Sequence, residues 1–260
     1  MTSAMIRTAL SSSALIGAGI DQVLELAAAT GVHGVEWTAD GFLEPGDVDA
    51  AGTAMMATLR AGLSTVSYAT LFRAGLHGRA AFGKALATTR ELNAPVLRLW
   101  AAPRGPSAEA DNAAFLDVAR VLGDEAGPLG VTLCFGIDRS TVLDTCRTAA
   151  RLLSTIDHPF VKLAWEPPEG APFDYVMESF SAASGQVGLF SIRSEVAGRP
   201  AEEWLEFLDL FDEQGGSADM ARNIVIRSIA SGDSGRLSAC TESLKAWSTL
   251  LRRYHGRRIY

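Results

Sequence analysis

The sequence predicts a (β/α)8 barrel, and three observations lead to this fold class. Short apolar runs alternate with amphipathic stretches eight times along the 260 residues. Such alternation favours a parallel sheet covered by helices, and eight units in about 250 residues is the size of this barrel. The phosphate-binding fingerprint of an open doubly wound sheet is missing, because Gln22 stands where Gly17 and Gly19 would require a third glycine. No linker or break in composition divides the chain, so residues 1–260 are expected to form one domain.

Each predicted strand is a short apolar run that a polar or glycine-containing loop ends. The predicted strands are Ile6–Ala9, Gly34–Trp37, Leu63–Tyr68, Val96–Trp100, Val131–Phe135, Val161–Trp165, Val187–Ser191 and Asn223–Ile229.

Each predicted helix is a stretch with apolar residues at helical spacing between two of these strands. Asp47 and Ser140 are expected N-caps, and Gly31, Gly62 and Gly130 stand where a glycine commonly ends a helix. The predicted helices are Ile20–Thr30, Asp47–Ala61, Arg79–Leu92, Glu109–Ala126, Ser140–Ile156, Phe173–Ala183, Ala201–Glu213 and Leu237–Arg253.

Composition excludes several classes of partner. A net charge of -7 argues against nucleic acid, because neutralising phosphates needs a basic face. No run of 18 apolar residues predicts a membrane span, and the N-terminus has no charged segment followed by an apolar core, as secretion would need. Cys134, Cys146 and Cys240 are odd in number and too far apart for a zinc motif. We therefore expect a cytoplasmic protein whose partner is a small molecule.

Charged residues gather near the C-terminal ends of the predicted strands, where barrels of this kind place their chemistry. No set of His, Asp and Glu suited to holding a metal accompanies them. These residues are Glu36, Arg98, Asp138, Glu166, Arg193 and Arg227.

Four segments carry a resemblance to a known family. They are Gly34–Trp37 followed by Pro45–Asp47, Ser67-Tyr68 with Arg73–Gly75, Ala94–Trp100, and Thr141–Thr145. In this order they resemble the sugar-phosphate isomerase/epimerase superfamily, the xylose-isomerase-like barrels, over nearly the whole chain. The resemblance implies a (β/α)8 barrel that binds a small polyhydroxy or keto substrate at the C-terminal ends of its strands. Members often self-associate, so it also implies that a homodimer is plausible.

The resemblance further implies a metal site, from which this chain departs. Members usually hold one divalent metal by Glu after strand five, Asp or Glu after strand six, His after strand seven and Glu after strand eight. Here the matching positions are Gly136, Glu166, Phe190 (within one residue) and Arg227, while Asp138 matches a frequent histidine. A guanidinium repels a nearby dication by roughly several kcal/mol at an effective dielectric near 20. We therefore expect no metal and no cofactor.

The remaining residues suggest acid–base chemistry at the strand ends. Glu166 is preferred over Glu36 as general base, with burial raising the pKa of one of the two carboxylates. Arg227 or Arg98 would stabilise a developing enolate. Asp138 is a further catalytic candidate; with Arg139 it would bind substrate hydroxyls, or the two would pair locally. Further substrate-binding candidates are Arg193, Arg139 and an aromatic wall of Trp37, Tyr68, Trp100, Trp165 and Phe190.

The leading hypothesis is a metal-independent isomerase, epimerase, dehydratase or cyclase that acts on a small carbonyl compound. By analogy alone, it would belong to a specialised pathway. One alternative is a metal-dependent sugar isomerase with displaced ligands at Glu36, Asp138, Glu166 and Glu195. Another is a catalytically inactive barrel that binds a ligand or a partner.

Overall fold

A computed structural model shows a closed barrel of eight parallel strands in sequential order, each followed by a helix. The prediction of a (β/α)8 barrel is therefore confirmed. The structure describes residues 5–167, 170–193, 199–214, 222–227 and 233–257, with only the backbone described for 233–236.

The strands and helices alternate without exception along the described chain. The strands are β1 (Arg7–Ser11), β2 (Gly34–Thr38), β3 (Ser64–Ala74), β4 (Val96–Ala101), β5 (Thr132–Gly136), β6 (Val161–Trp165), β7 (Val187–Arg193) and β8 (Asn223–Arg227). The helices are α1 (Ile20–Thr30), α2 (Val48–Arg60), α3 (Arg79–Glu91), α4 (Ala108–Ala126), α5 (Cys146–Ile156), α6 (Phe173–Ala183), α7 (Ala201–Gln214) and α8 (Asp233–Arg257).

Asp47 and Gly31 take the cap positions predicted for them, whereas Ser140 does not. Asp47 caps α2 by accepting a hydrogen bond from the amide of Ala50, and Gly31 ends α1 in the left-handed region. Ser140 was expected to cap α5, but this prediction is wrong. Asp138 captures the amide of Ser140 in a tight turn, and α5 starts at Cys146 behind the cap Thr145.

Small apolar side chains close the interior of the barrel below its mouth. They form one buried cluster to which seven strands contribute: Ala9, Val66, Val96, Cys134, Ala164, Leu189 and Val225. The remaining strand, β2, contributes Gly34, where a Cβ would lie only 2.6 Å from the Cγ1 of Val66. Barrel interiors are packed rather than hollow, so polar chemistry is confined to the layer above this cluster.

An aromatic cluster fills the space between β6, β7 and the helices outside them. Trp165 stacks on Phe207 with ring centroids 5.5 Å apart, and Phe190 lies 5.2 Å from the same ring. Phe180 meets Trp165 edge to face at 5.1 Å. Burial of rings this large is a major source of stability, so this region anchors α6 and α7 to the barrel.

The longest helix, α8, packs against β1, α1 and α7, and its buried side chains include Leu244 and Trp247. Within the described residues, no helix is both long enough and apolar enough to cross a membrane.

Candidate active site at the barrel mouth

The polar layer at the mouth follows from the alternation of side chains along each strand. Successive residues of a strand point to opposite faces, so every second residue faces the interior. Above the apolar cluster, this rule brings Ser11, Glu36, Arg98, Glu166, Ser191 and Arg227 into one layer of hydrogen-bonded side chains. Ser67 joins this layer although it directly follows Val66 of the cluster, because the register between β2 and β3 shifts at this point.

Glu36 of β2 is fully buried and held by three neighbours. The hydroxyl of Ser11 donates to its Oε1 at 2.8 Å and that of Ser67 to its Oε2 at 2.9 Å. The Nη1 of Arg98 lies 3.5 Å from Oε1. A buried carboxylate is tolerated only with such compensation, so Arg98 and the two serines keep Glu36 in place.

Arg98 of β4 occupies the centre of the mouth. Its pKa is lowered to about 10, first by burial and then by the charge of Arg227, against the opposing carboxylates of Glu36 and Glu166. Arg98 therefore remains a cation at neutral pH. Its guanidinium also lies 5.5 Å from the ring of Trp100, within the range of a cation–π contact.

Glu166, directly after β6, is held mainly by cations. Its Oε1 accepts from the Nε of Arg193 at 2.5 Å, and its Oε2 lies 3.2 Å from the Nη2 of Arg227 and accepts from Ser191. Burial alone would raise the pKa of Glu166, but the charges of Arg227, Arg193 and Arg98 outweigh it and lower the pKa below its ordinary value. For Glu166, the expected rise in pKa by burial is thus wrong, and the carboxylate is ionised at neutral pH.

Asp138 and Arg139 follow β5 and differ in their surroundings. Asp138 accepts from the amide and the hydroxyl of Ser140 and pairs with Arg73 at 3.2 Å. The backbone hydrogen bond from Ser140 is the main reason that the pKa of Asp138 is lowered. Arg139 is exposed and forms no ion pair with an acid among the described residues. Asp138 is therefore an ionised member of the rim, and the predicted alternative of a local pair with Arg139 is not what forms.

Two aromatic predictions on β2 and β3 are corrected. Trp37 and Tyr68 are fully buried outside the barrel interior. The indole of Trp37 donates to the hydroxyl of Thr58 in α2, and the hydroxyl of Tyr68 donates to the carbonyl of Leu43. Trp37 follows Glu36 directly, so the two must point to opposite faces of the strand.

Trp165 and Phe190 are corrected for the same reason. Both belong to the aromatic cluster behind β6 and β7 and are at most 1% exposed. Each is next in sequence to a residue of the mouth, Glu166 or Ser191, and therefore faces away from it. Of the five predicted wall residues, only Trp100 lines the mouth.

Two adjoining cavities open at the mouth. The smaller, of about 280 Å³, is lined by residues that include Glu36, Thr38 and Thr70. The larger, of about 720 Å³, is lined by residues that include Glu166 and Asp138. Arg98, Trp100 and Arg227 line both cavities and thus form the boundary between them.

The indole ring of Trp100 occupies the space that a side chain at Gly136, the last residue of β5, would fill. A Cβ built on Gly136 would lie 2.7 Å from the indole ring, closer than real Cβ atoms approach. The ring is fixed by a hydrogen bond of 3.1 Å from its Nε1 to the carbonyl of Thr70. Sequence reasoning missed this contact, although a glycine at the end of a strand is a signal of close approach by another group.

The residues of the mouth do not fit the divalent metal that the family resemblance implies. Position 136 has no side chain and is covered by Trp100, while both oxygens of Glu166 are engaged by guanidinium groups. A site for a hard cation needs several oxygen ligands converging on one point. Within the described ranges, no three His, Cys, Asp or Glu side chains lie close enough to hold an ion. The alternative ligand set included Glu195, which lies outside the described residues.

Comparison with solved structures shows what the fold is similar to. A 3-keto-D-glucoside 4-epimerase from E. coli has a TM-score of 0.71 and 15% identity, with 95% of this chain and 99% of that chain covered. A probable 3-DHS dehydratase from Bacillus anthracis has a TM-score of 0.70 and 11% identity, with 93% of this chain and 98% of that chain covered. A xylose isomerase domain protein from Planctomyces limnophilus has a TM-score of 0.69 and 11% identity, with 98% of this chain and 100% of that chain covered.

No family model and no curated protein sequence matches the chain. The solved structures, however, confirm the resemblance to xylose-isomerase-like barrels at the level of the fold.

Proposed function

We propose that this protein is an enzyme that moves a proton next to the carbonyl of a small metabolite, without a metal ion. The reaction would be an isomerisation, epimerisation, dehydration or cyclisation. The observation that supports this most is the arrangement around Glu166, an ionised carboxylate that lines a cavity beside Arg193 and Arg227. Proton removal beside a carbonyl needs a base and a stabiliser of the oxyanion, and this arrangement supplies both.

The similar structures agree with this class of reaction. One is an epimerase of a keto sugar and another a probable dehydratase. Epimerisation next to a ketone and dehydration of a hydroxy ketone can both begin with loss of a proton from the carbon beside the carbonyl. The fold therefore supports the same first step here, while the substrate follows from the residues of this chain.

Glu166 acts as the base, and its arginines control its basicity. In the free protein, Arg193 and Arg227 hold the proton affinity of Glu166 down. When the carbonyl oxygen of a substrate accepts a hydrogen bond from Arg227, the arginine is shared and Glu166 becomes more basic. The proton then passes from carbon to the carboxylate, and the negative charge of the enolate comes to rest on the oxygen beside Arg227.

Glu36 is the second carboxylate of the proposed mechanism. It lines the smaller cavity from β2, four strands around the barrel from Glu166 on β6. Glu36 is fully buried, so a substrate at the boundary of the two cavities would meet Arg98 rather than Glu36 itself. Glu36 would therefore act through Arg98, by holding this cation in place.

Arginine takes over the electrostatic role of the metal in this proposal. Arg227 stands at the position that the resemblance assigns to a metal-binding glutamate, and Trp100 covers the strand-five position. A fixed guanidinium stabilises a developing oxyanion by donating charge-assisted hydrogen bonds to it.

Exchange of substrate hydrogen for deuterium tests the proposal. Chelator-treated protein would be incubated in D2O with a panel of small keto acids, hydroxy ketones and keto sugars, and exchange followed by NMR. We expect exchange with at least one compound, and a loss of about 10²–10⁴-fold in Glu166→Gln. Glu178→Gln is the matched control, because Glu178 is also paired with an arginine but lies exposed on α6.

Three outcomes would count against the proposal. Exchange that needs added Mg²⁺ or Mn²⁺ would overturn its metal-free part. Undiminished exchange in Glu166→Gln would remove Glu166 from the mechanism. Binding without exchange of any compound would support a ligand-binding barrel instead.

A further inference from the structure

Among the described residues, the larger cavity has arginines whose charge the acids that line it do not neutralise. Two of the three acids that the described residues contribute are engaged from outside it, since Asp138 pairs with Arg73 at 3.2 Å and Asp144 with Arg104 at 2.7 Å. Neither Arg73 nor Arg104 lines the cavity. Among the described residues, Arg139 lines it without an acidic partner. The local field therefore favours an anion.

Arg98 and Arg227 face the same space from β4 and β8. Both line both cavities, and each has its carboxylate on its own side of the mouth, Glu36 for Arg98 and Glu166 for Arg227. The two guanidinium groups are close enough for the charge of Arg227 to lower the pKa of Arg98. An anionic group between them would relieve this repulsion and accept hydrogen bonds from both sides.

Trp100 provides a flat surface beside these two arginines. Its ring is fixed by the hydrogen bond to Thr70 and by the backbone of Gly136, and it remains partly exposed at the boundary of the cavities. A rigid indole binds a planar or apolar molecular surface with little loss of side-chain entropy.

We propose that the ligand of this mouth is an oxyanion, whose carboxylate or phosphate binds between Arg98 and Arg227 while its body lies on Trp100. This inference rests on the proposed function only in taking the mouth as the substrate site. The binding of simple anions is enough to test this chemical class of substrate, whether or not a reaction follows.

Isothermal titration calorimetry at neutral pH and low ionic strength, with three probes, tests the proposal. Benzoate presents a planar carboxylate, inorganic phosphate presents a phosphoryl oxyanion, and benzamide is the neutral counterpart of benzoate. We expect at least one anion to bind and benzamide to bind at least tenfold more weakly. Arg98→Gln should weaken anion binding about 10–100-fold, as loss of a charge-assisted hydrogen bond would. Arg147→Gln, on the exposed surface, is the control.

A second variant guards against misfolding, because Arg98→Gln leaves Glu36 buried without its cation. The double variant Glu36→Gln with Arg98→Gln keeps the interior neutral and should also lose anion binding. Benzoate binding alone supports a carboxylate substrate, and phosphate binding alone supports a phosphorylated one. The proposal is overturned if neither anion binds, if benzamide binds as well as benzoate, or if the double variant binds anions like the wild type. Anion binding without deuterium exchange would leave this proposal standing and count only against the proposed reaction.

Discussion

Glu36 and Glu166 are each held by three groups at the barrel mouth, but the groups differ. Glu36 is fully buried and held by two serine hydroxyls and one guanidinium at 3.5 Å. Glu166 is held by two guanidinium groups and one hydroxyl, and 18% of its side chain is exposed. Glu36, on the β2 side, is thus a buried charge that its neighbours compensate. On the β6–β8 side, Glu166 and its arginines form a cluster of partly exposed charges that a substrate can reach.

The largest expected effect comes from removing Arg98, the cation that pairs with Glu36. Arg98→Gln should lower the free energy of unfolding by roughly 3–5 kcal/mol, because it leaves a buried carboxylate without its cation. Arg193→Gln should cost only about 1 kcal/mol, because Glu166 is partly exposed and keeps Arg227. Urea denaturation at pH 7 measures both. Equal losses in the two variants would remove the distinction between the two sides.

The serines should show the same contrast at smaller scale. Ser67→Ala removes one of the two short hydrogen bonds that described residues donate to the buried Glu36 and should cost about 1.5–3 kcal/mol. Ser191→Ala removes a contact of 3.2 Å from a carboxylate that keeps its arginines, so we expect about 1 kcal/mol or less. Thermal and urea unfolding of the pair would check the order, and a larger loss in Ser191→Ala would contradict it.

The boundary between the two sides can be tested at Gly136. Gly136→Ala should cost about 1–3 kcal/mol, because the new Cβ would lie 2.7 Å from the indole of Trp100. In a Trp100→Ala background the same change should cost far less. A double-mutant cycle of unfolding free energies measures this coupling. Additive losses would show that Trp100 does not fill the space over Gly136.

The smallest effect is the contribution of Glu166 to stability as pH changes. Its pKa is lower in the folded protein than its ordinary 4.5, so the carboxylate stabilises the fold above that value. This contribution is lost as pH falls below about 4.5 and through the lower folded pKa. The difference in unfolding free energy between wild type and Glu166→Gln should therefore become less favourable to the wild type from pH 6 to pH 3. A difference that grows towards acid pH would show that burial, not the arginines, dominates.

Much of the fold could be predicted from local patterns, because strands and helices of an alternating barrel bury apolar runs at regular spacing. The charged residues of the mouth were also predictable, since they follow apolar strands where parallel strands end. The four misplaced aromatics show a different limit. Trp37 and Trp165 directly follow or precede Glu36 and Glu166, so the alternation of a strand already placed them on the opposite face.

Other features of the mouth depend on contacts that are distant in sequence. The pair of Arg73 with Asp138 joins residues from two different strand ends, and Trp100 reaches over Gly136 from the neighbouring strand. No spacing rule selects one such partner from several, because the choice depends on side-chain conformation in the closed barrel.

A measurement of bound metal would test whether arginine replaces the metal at this mouth. Protein purified without chelator would be exposed to magnesium, manganese and zinc, desalted and measured by elemental analysis, with Arg227→Glu as a comparison. We expect near-zero stoichiometry for the wild type, because Trp100 occupies the space over Gly136 and Arg227 places a positive charge where an ion would bind. One tightly held ion per wild-type chain would contradict it and would favour a metal-dependent isomerase.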